Sequence, residues 1–338
     1  MKKRICCFIL AFILIAVCQA GCGKKDNGMK KVVLNEVAHS IFYAPQYVAI
    51  EMGYFKDAGI DLVLETGFGA DKTMTALISG NADIGFMGSE STIYAYAEGS
   101  KDYAVNFAGL TQRAGNFLVA REKIDNFSWD MVKGKNVLGG RKGGMPQMVL
   151  EYILKANNID PASDLSIDQS VDFGLTAGAF SGNTEYDFTV EFEPGATSLE
   201  KEGKGYVVAS LGVDSGYVPY TAYSAKKSYI EKNPEIIKDF TSAIQKGLDY
   251  VNSHSSAEIA KVIAPQFEDT DIDTITTIVE RYKSQDTWKK DTVFTRESFE
   301  LLEDILIEAG ELKEKVPYED LVTVSYTHLR AHETGRNL

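Results

Sequence analysis

The sequence predicts an α/β protein of two lobes, each a mostly parallel sheet flanked by helices, joined by two hinge strands. Three observations predict it. Short β-branched or aliphatic runs alternate with helical stretches from Lys31 onward, a second block of the same kind follows Asn116–Ala120, and two extended segments bracket that block. Repeated strand–helix–strand units set neighbouring strands parallel and cover both faces of the sheet.

In the first block Val32 to Val37 reads as a strand, Tyr43 to Met52 as a helix and Leu62 to Glu65 as a strand. Lys72 to Ser79 follows as a helix, Ala82 to Phe86 as a strand, Thr92 to Ala97 as a helix and Val105 to Leu110 as a strand. Gly80 stands at a helix end, where a left-handed residue costs least as glycine. After the strand Asn116 to Ala120, the second block has strands at Val137 to Gly139, Leu165 to Val171, Tyr186 to Val190 and Tyr206 to Ser210. Its helices are Met145 to Ala156, Phe173 to Phe180 and Pro194 to Glu202. Tyr220 to Ala225 is the second bracketing strand, and beyond it the chain is helical, with capping signals at Asn233-Pro234, Ser255-Ser256 and Asp271. A lobe inserted between two parts of another needs two crossings. Residues 30–115 with 221–322 are expected to form one lobe and 116–220 the other.

The four cysteines all fall within the first 22 residues. The basic start Lys2, Lys3 and Arg4, an apolar run from Ile5 to Val17 and the small pair Ala20-Gly21 describe a secretory signal at 1–21, too short to span a bilayer. Cys22 and the polar stretch after it resemble a bacterial lipoprotein signal, with Gln19 where such signals carry an aliphatic residue. On that reading Cys22 is lipidated, residues 22–29 tether the domain to the outer face of the membrane, and no disulfide supports the core. An ordinary signal peptide with an incidental cysteine is the alternative. Losing the three cations takes the net charge from −13 to −16, which argues against nucleic acid as a partner. Ser325 to Leu338 lacks any helical or strand period, so 323–338 reads as a non-native or disordered tail.

In open parallel sheets ligands lie beyond the carboxyl ends of the strands. That rule selects His39 to Tyr43 (with Phe42), Gly67-Phe68-Gly69, Ser89-Glu90 and Gln112 in the first lobe. In the second it selects Arg141-Lys142-Gly143-Gly144-Met145, Asp172-Phe173 and Glu191-Phe192-Glu193. The glycine loops can offer backbone N–H groups, and Phe42, Tyr43, Phe68, Phe180 and Phe192 offer flat faces for stacking. Glu90, Glu191 and Glu193 disfavour an anionic ligand, whereas Arg113, Arg141 and Lys142 could bind one. The ligand's charge stays open, with a neutral or weakly basic heterocycle favoured.

His39 through Gly53-Tyr-Phe55, then Gly59-Ile-Asp61 and Leu77-Ile-Ser-Gly-Asn-Ala-Asp-Ile-Gly85, resemble the opening of substrate-binding proteins of the nitrate/sulfonate/taurine and thiamine-pyrimidine group. The resemblance implies a periplasmic-binding fold of the second type, a monomer, and delivery of a small solute to the membrane subunits of an ABC permease. It maps ligand contacts onto His39, Phe42, Phe68, Ser89, Lys142, Gly144 and Glu193. A thiamine-type pyrimidine precursor is favoured over a sulfonate, taurine or nitrate. The alternative is an enzyme of the same fold that makes the pyrimidine precursor, but that chemistry depends on a cysteine cluster, and the chain after the signal has only Cys22. No cofactor or metal is expected: outside the tail only His39 and His254 remain, and no Gly-x-Ser-x-Gly elbow occurs. His39 reads as a cleft hydrogen-bonder or a buried structural residue, and His254 as a helix cap.

Overall fold

The computed structural model describes residues 28–171 and 174–323. The expected signal, Cys22, the tether up to Asn27, Asp172, Phe173 and the tail beyond Thr323 lie outside the described residues. The chain divides into the units Met1–Lys30 and Lys31–Leu338, and the account below concerns the second.

The described strands, in chain order, are β1 (Lys30–Glu36), β2 (Ile60–Thr66), β3 (Ile84–Gly88), β4 (Ala104–Gly109), β5 (Asn116–Ala120), β6 (Asn136–Leu138), β7 (Ser166–Asp168), β8 (Phe188–Phe192), β9 (Tyr206–Ser210) and β10 (Thr221–Lys226). They form two five-stranded sheets, ordered β2-β1-β3-β10-β4 and β7-β6-β8-β5-β9. β1 runs parallel to β3, and β6 parallel to β7 and β8. β10 is antiparallel to β3 and β4, and β5 to β8 and β9. Both sheets are therefore mixed. The two strands expected to act as hinges are these antiparallel ones, each set inside a sheet. Every residue of β5 is buried, as are all but the last of β10, and a strand without solvent on either face needs a partner along both edges for its N–H and C=O groups.

Helices cover the sheets. The helix Pro234–Ser253 buries Ile236, Phe240, Ile244, Leu248 and Val251 along one stripe. Gly247 lets it approach the helix Ala44–Glu51: a Cβ there would overlap the Pro45 carbonyl. The capping signals act as expected at two of three places. Ser255 forms a capping box with Glu258, and Asp271 accepts the Thr274 N–H at 2.9 Å. Asn233 instead donates to the Tyr229 carbonyl of the preceding helix, leaving Pro234 to start the next. His254 closes that helix, its ring stacked on Tyr250. Short turns unforeseen in the sequence appear at Tyr54–Asp57, Trp129–Val132 and Leu211–Asp214, too brief for a helical period to register.

The sheets are linked by residues 110–115 and 211–220, and these links are bonded to each other. Val218 N–H donates to the Gln112 carbonyl and Arg113 Nη1 to that of Gly212, while Leu110 N–H donates to the Thr221 carbonyl at the start of β10. A third segment joins them: Gln112 N–H donates to Thr287 and Lys289 N–H to Leu110. The helix Ile272–Ser284 before that segment reaches the second sheet's lobe, where Arg281 pairs with Glu193 and Glu200.

Candidate functional site

A cavity of about 390 Å³ lies between the two lobes, lined from both. Of the residues selected from the sequence, His39, Tyr43, Gly69 and Glu90 line it from one side, and Gly144, Met145, Phe192 and Glu193 from the other. Phe42, Phe68, Ser89, Gln112, Lys142 and Gly143 do not line it.

Each of these six has a physical reason to lie elsewhere. Phe42 is fully buried behind the cavity, with its ring 5.1 to 5.8 Å from those of Tyr43, Tyr282, Phe192 and Tyr220. Phe68 takes a left-handed φ of 56° and is 69% exposed, so its ring faces solvent. Ser89 is buried and donates to the Pro219 carbonyl at 2.5 Å, stitching β3 to the incoming link. Gln112 donates to the carbonyls of Asp286 and Trp288 within the hinge. Lys142 is on the outer face of its turn, and Gly143 gives its N–H to Gln147 Oε1 at 2.8 Å at the start of the helix Met145–Ala156.

His39 reaches the cavity but keeps both ring nitrogens within its own lobe. Nδ1 lies 2.8 Å from Glu36 Oε1 and Nε2 2.8 Å from the Gln266 carbonyl. The bond to Glu36 raises its pKa above the ordinary histidine value against the lowering effect of burial. Glu36 also accepts from Gln46, Tyr47 and Thr66. This network braces the end of β1.

Three carboxyls face the cavity in different states. Glu90 opens the helix Glu90–Ala97 and its Oε2 has no partner among the described residues; burial pushes it up to about 8. Its carboxylate lies over Gly88, where any Cβ would overlap it. Glu191 accepts the hydroxyls of Thr176 at 2.9 Å and Thr189 at 2.6 Å, and burial pushes it up to about 7. Glu193 is committed to structure: it accepts the Thr197 N–H at 2.9 Å at the head of the helix Gly195–Lys201 and pairs with Arg281. Arg141 also lines the cavity, and it bridges the lobes by pairing with Asp71 at 3.2 Å. Both partners of that bridge are about half exposed, so it contributes little energy.

Tyr220 lines the cavity and was missed from the sequence. Its hydroxyl is buried with no partner among the described residues, and burial pushes its phenol well above the usual range. The signal lies in strand direction. β10 runs antiparallel to β3, with Thr221 opposite Gly88, so its amino end meets the carboxyl end of β3 and the usual rule is inverted for that strand. The cavity thus has aromatic walls in Tyr43, Phe192 and Tyr220, with two carboxyls raised toward neutrality at its polar edge. Such a site can stack a small flat ring and exchange hydrogen bonds with its edge. Among the described residues no group of three or more His, Cys, Asp or Glu side chains converges for a metal ion.

Residues 41–257 match the model of the family described as "NMT1/THI5 like". A protein of Bacillus subtilis (strain 168) named "Putative binding protein YtlA" is 46% identical over 322 residues, covering 95% of each chain. Among solved structures, a ligand-binding component of an ABC-type import system from Staphylococcus aureus, with zinc bound, superposes with a TM-score of 0.71 at 15% identity, covering 88% of this chain and 98% of that one. The alkanesulfonate-binding protein SsuA from Xanthomonas axonopodis pv. citri, bound to MOPS, gives 0.69 at 14% identity over 87% and 98%. These likenesses show the fold.

Proposed function

Because this chain belongs to the NMT1/THI5-like family, we propose that it is the solute-binding component of an ABC-type importer and that its solute is a small, flat, neutral or weakly basic heterocycle of the thiamine-pyrimidine kind. The single observation that carries the choice of solute is Glu90: a buried carboxyl on the cavity wall whose Oε2 has no partner among the described residues and whose pKa is raised to about 8. Near neutral pH it holds a proton, so it can donate to a ring nitrogen while its other oxygen accepts from an adjacent amino group. The edge of an aminopyrimidine presents that pair. A sulfonate or nitrate would instead seek cations, and the cavity wall sets its arginine, Arg141, against the three carboxyls Glu90, Glu191 and Glu193.

The binding residues in this reading are His39, Tyr43, Gly69, Glu90, Gly144, Met145, Glu191 and Phe192, with Tyr220 added. We take 30–115 with 221–322 as one lobe and 116–220 as the other. Solute held by one lobe gains contacts to the second when the hinge closes, and the closed form is what the permease recognises. The protein acts as a monomer outside the cytoplasm, held to the membrane through a lipid on Cys22, and it binds without turnover. Isothermal titration with 4-amino-5-hydroxymethyl-2-methylpyrimidine, taurine, ethanesulfonate and nitrate tests the choice. The pyrimidine is expected to bind at least roughly tenfold more tightly than any of the anions, a difference of about 1.4 kcal/mol. Tighter binding of an anion would overturn the solute, and consumption of the ligand would overturn the transport role.

A further inference from the structure

A second cavity, of about 180 Å³, lies where the two links between lobes meet the segment after Ser284. Its chemistry is opposite to that of the first. No carboxylate lines it, whereas Lys289 does, together with Thr111, Thr221, Thr295 and Ser298. The Lys289 ammonium has neither an ion-pair nor a hydrogen-bond partner among the described residues, and burial lowers its pKa against the opposing field of Asp291. A partly desolvated ammonium that no acidic group among the described residues contacts directly is unfavourable to the fold, and an anion in the cavity would offset that cost.

The hydroxyls around it have protons to give. Thr111 and Thr221 share a bond of 2.5 Å between their hydroxyl oxygens, and the Thr221 N–H donates to Thr111 Oγ1. The shared bond uses one of the two hydroxyl protons, so the pair retains the other. Thr295 Oγ1 accepts the Ser298 N–H at 3.2 Å and heads the helix Arg296–Glu308, whose first turn adds partial positive charge. The volume is below the roughly 300 Å³ at which drug-sized pockets begin, yet it admits a tetrahedral ion.

We propose that this hinge cavity binds a small oxyanion of the phosphate or sulfate class, held by Lys289 and by hydroxyl donors of the Thr111–Thr221 pair and Thr295. Thr221 lines both cavities, so the oxyanion touches a residue that also borders the solute. The anion site itself stands apart from the identity of the solute.

The test is calorimetric titration of the full chain with inorganic phosphate, and separately with sulfate, at an ionic strength held constant with chloride. One saturable site is expected, weakened at least tenfold in Lys289→Met and nearly unchanged in Lys289→Arg. Thr295→Val, an exposed position that spares the hinge packing, is expected to weaken it about threefold. Phosphorus-31 line broadening on the unaltered protein reads the same site should the Met variant fail to fold. Absence of saturable binding to the unaltered protein, or affinity that Lys289→Met and Thr295→Val both leave intact, would overturn the proposal.

Discussion

Glu90 and Glu191 tie the chemistry of the cavity to the stability of the protein. A carboxyl whose pKa is higher in the folded state keeps its proton over a range where the unfolded chain has lost it. Its stabilising effect is complete below the unfolded value and is lost as pH rises to the folded one. With Glu191 at about 7 and Glu90 at about 8, stability is expected to fall from about pH 5 to pH 8, by at most ~1.4 kcal/mol per pH unit for each group. The raised pKa of His39 adds to the loss above pH 6.5. Glu90→Gln should flatten the curve between pH 7 and 8, as chemical denaturation across that range will show. Phe192→Ala removes a wall of the cavity at a half-buried strand end, so it should weaken solute binding at least tenfold with little change in the melting midpoint. At this scale the sequence placed Glu90, Phe192 and Tyr43 near a ligand because they follow strands. It also placed Phe42 there, which packs away from the cavity, and Glu193, which lines the cavity with its carboxylate spent on a cap and an ion pair; nothing in their spacing reveals either commitment.

The parallel strands and most helices were legible as elements, since their apolar residues repeat at the period of a buried strand or a one-faced helix. The antiparallel entry of β5 and β10 was not, because burial pattern carries no information about direction. Direction decided the site: it brought Tyr220 to the cavity. The tight crossing of the helices Ala44–Glu51 and Pro234–Ser253 at Gly247 gives a prediction of its own. Gly247→Ala sets a methyl against the Pro45 carbonyl and should cost about 1–3 kcal/mol, measured by urea denaturation, and Gly247→Val should cost more.

Across the whole molecule, Arg281 fastens a helix of one lobe to Glu193 and Glu200 of the other. The Glu193 side chain has no solvent exposure, so Arg281→Met leaves a buried carboxylate with only Thr197 to satisfy it and should lower stability by about 3 kcal/mol. The same variant loosens the link between lobes. Small-angle scattering should then show a larger radius of gyration without solute and a larger contraction on its addition, and an unchanged radius would show that the pair does not restrain closure. The bilobed plan was readable from two strand–helix blocks and their brackets. The third hinge segment and the second cavity were not, because Gly109 and Thr111, Tyr217, and Lys289 and Thr295 come from three distant stretches of the chain that meet only once both crossings are made.

The position of β10 between β3 and the edge strand β4 also sets a timetable for maturation. Four strands made early must wait beside an open slot until the segment from Thr221 arrives, while the intervening block already holds every strand of its own sheet. Chains cut short before that segment should therefore yield a protease-resistant middle and a frayed beginning, so the inserted lobe matures first and the host lobe closes around it.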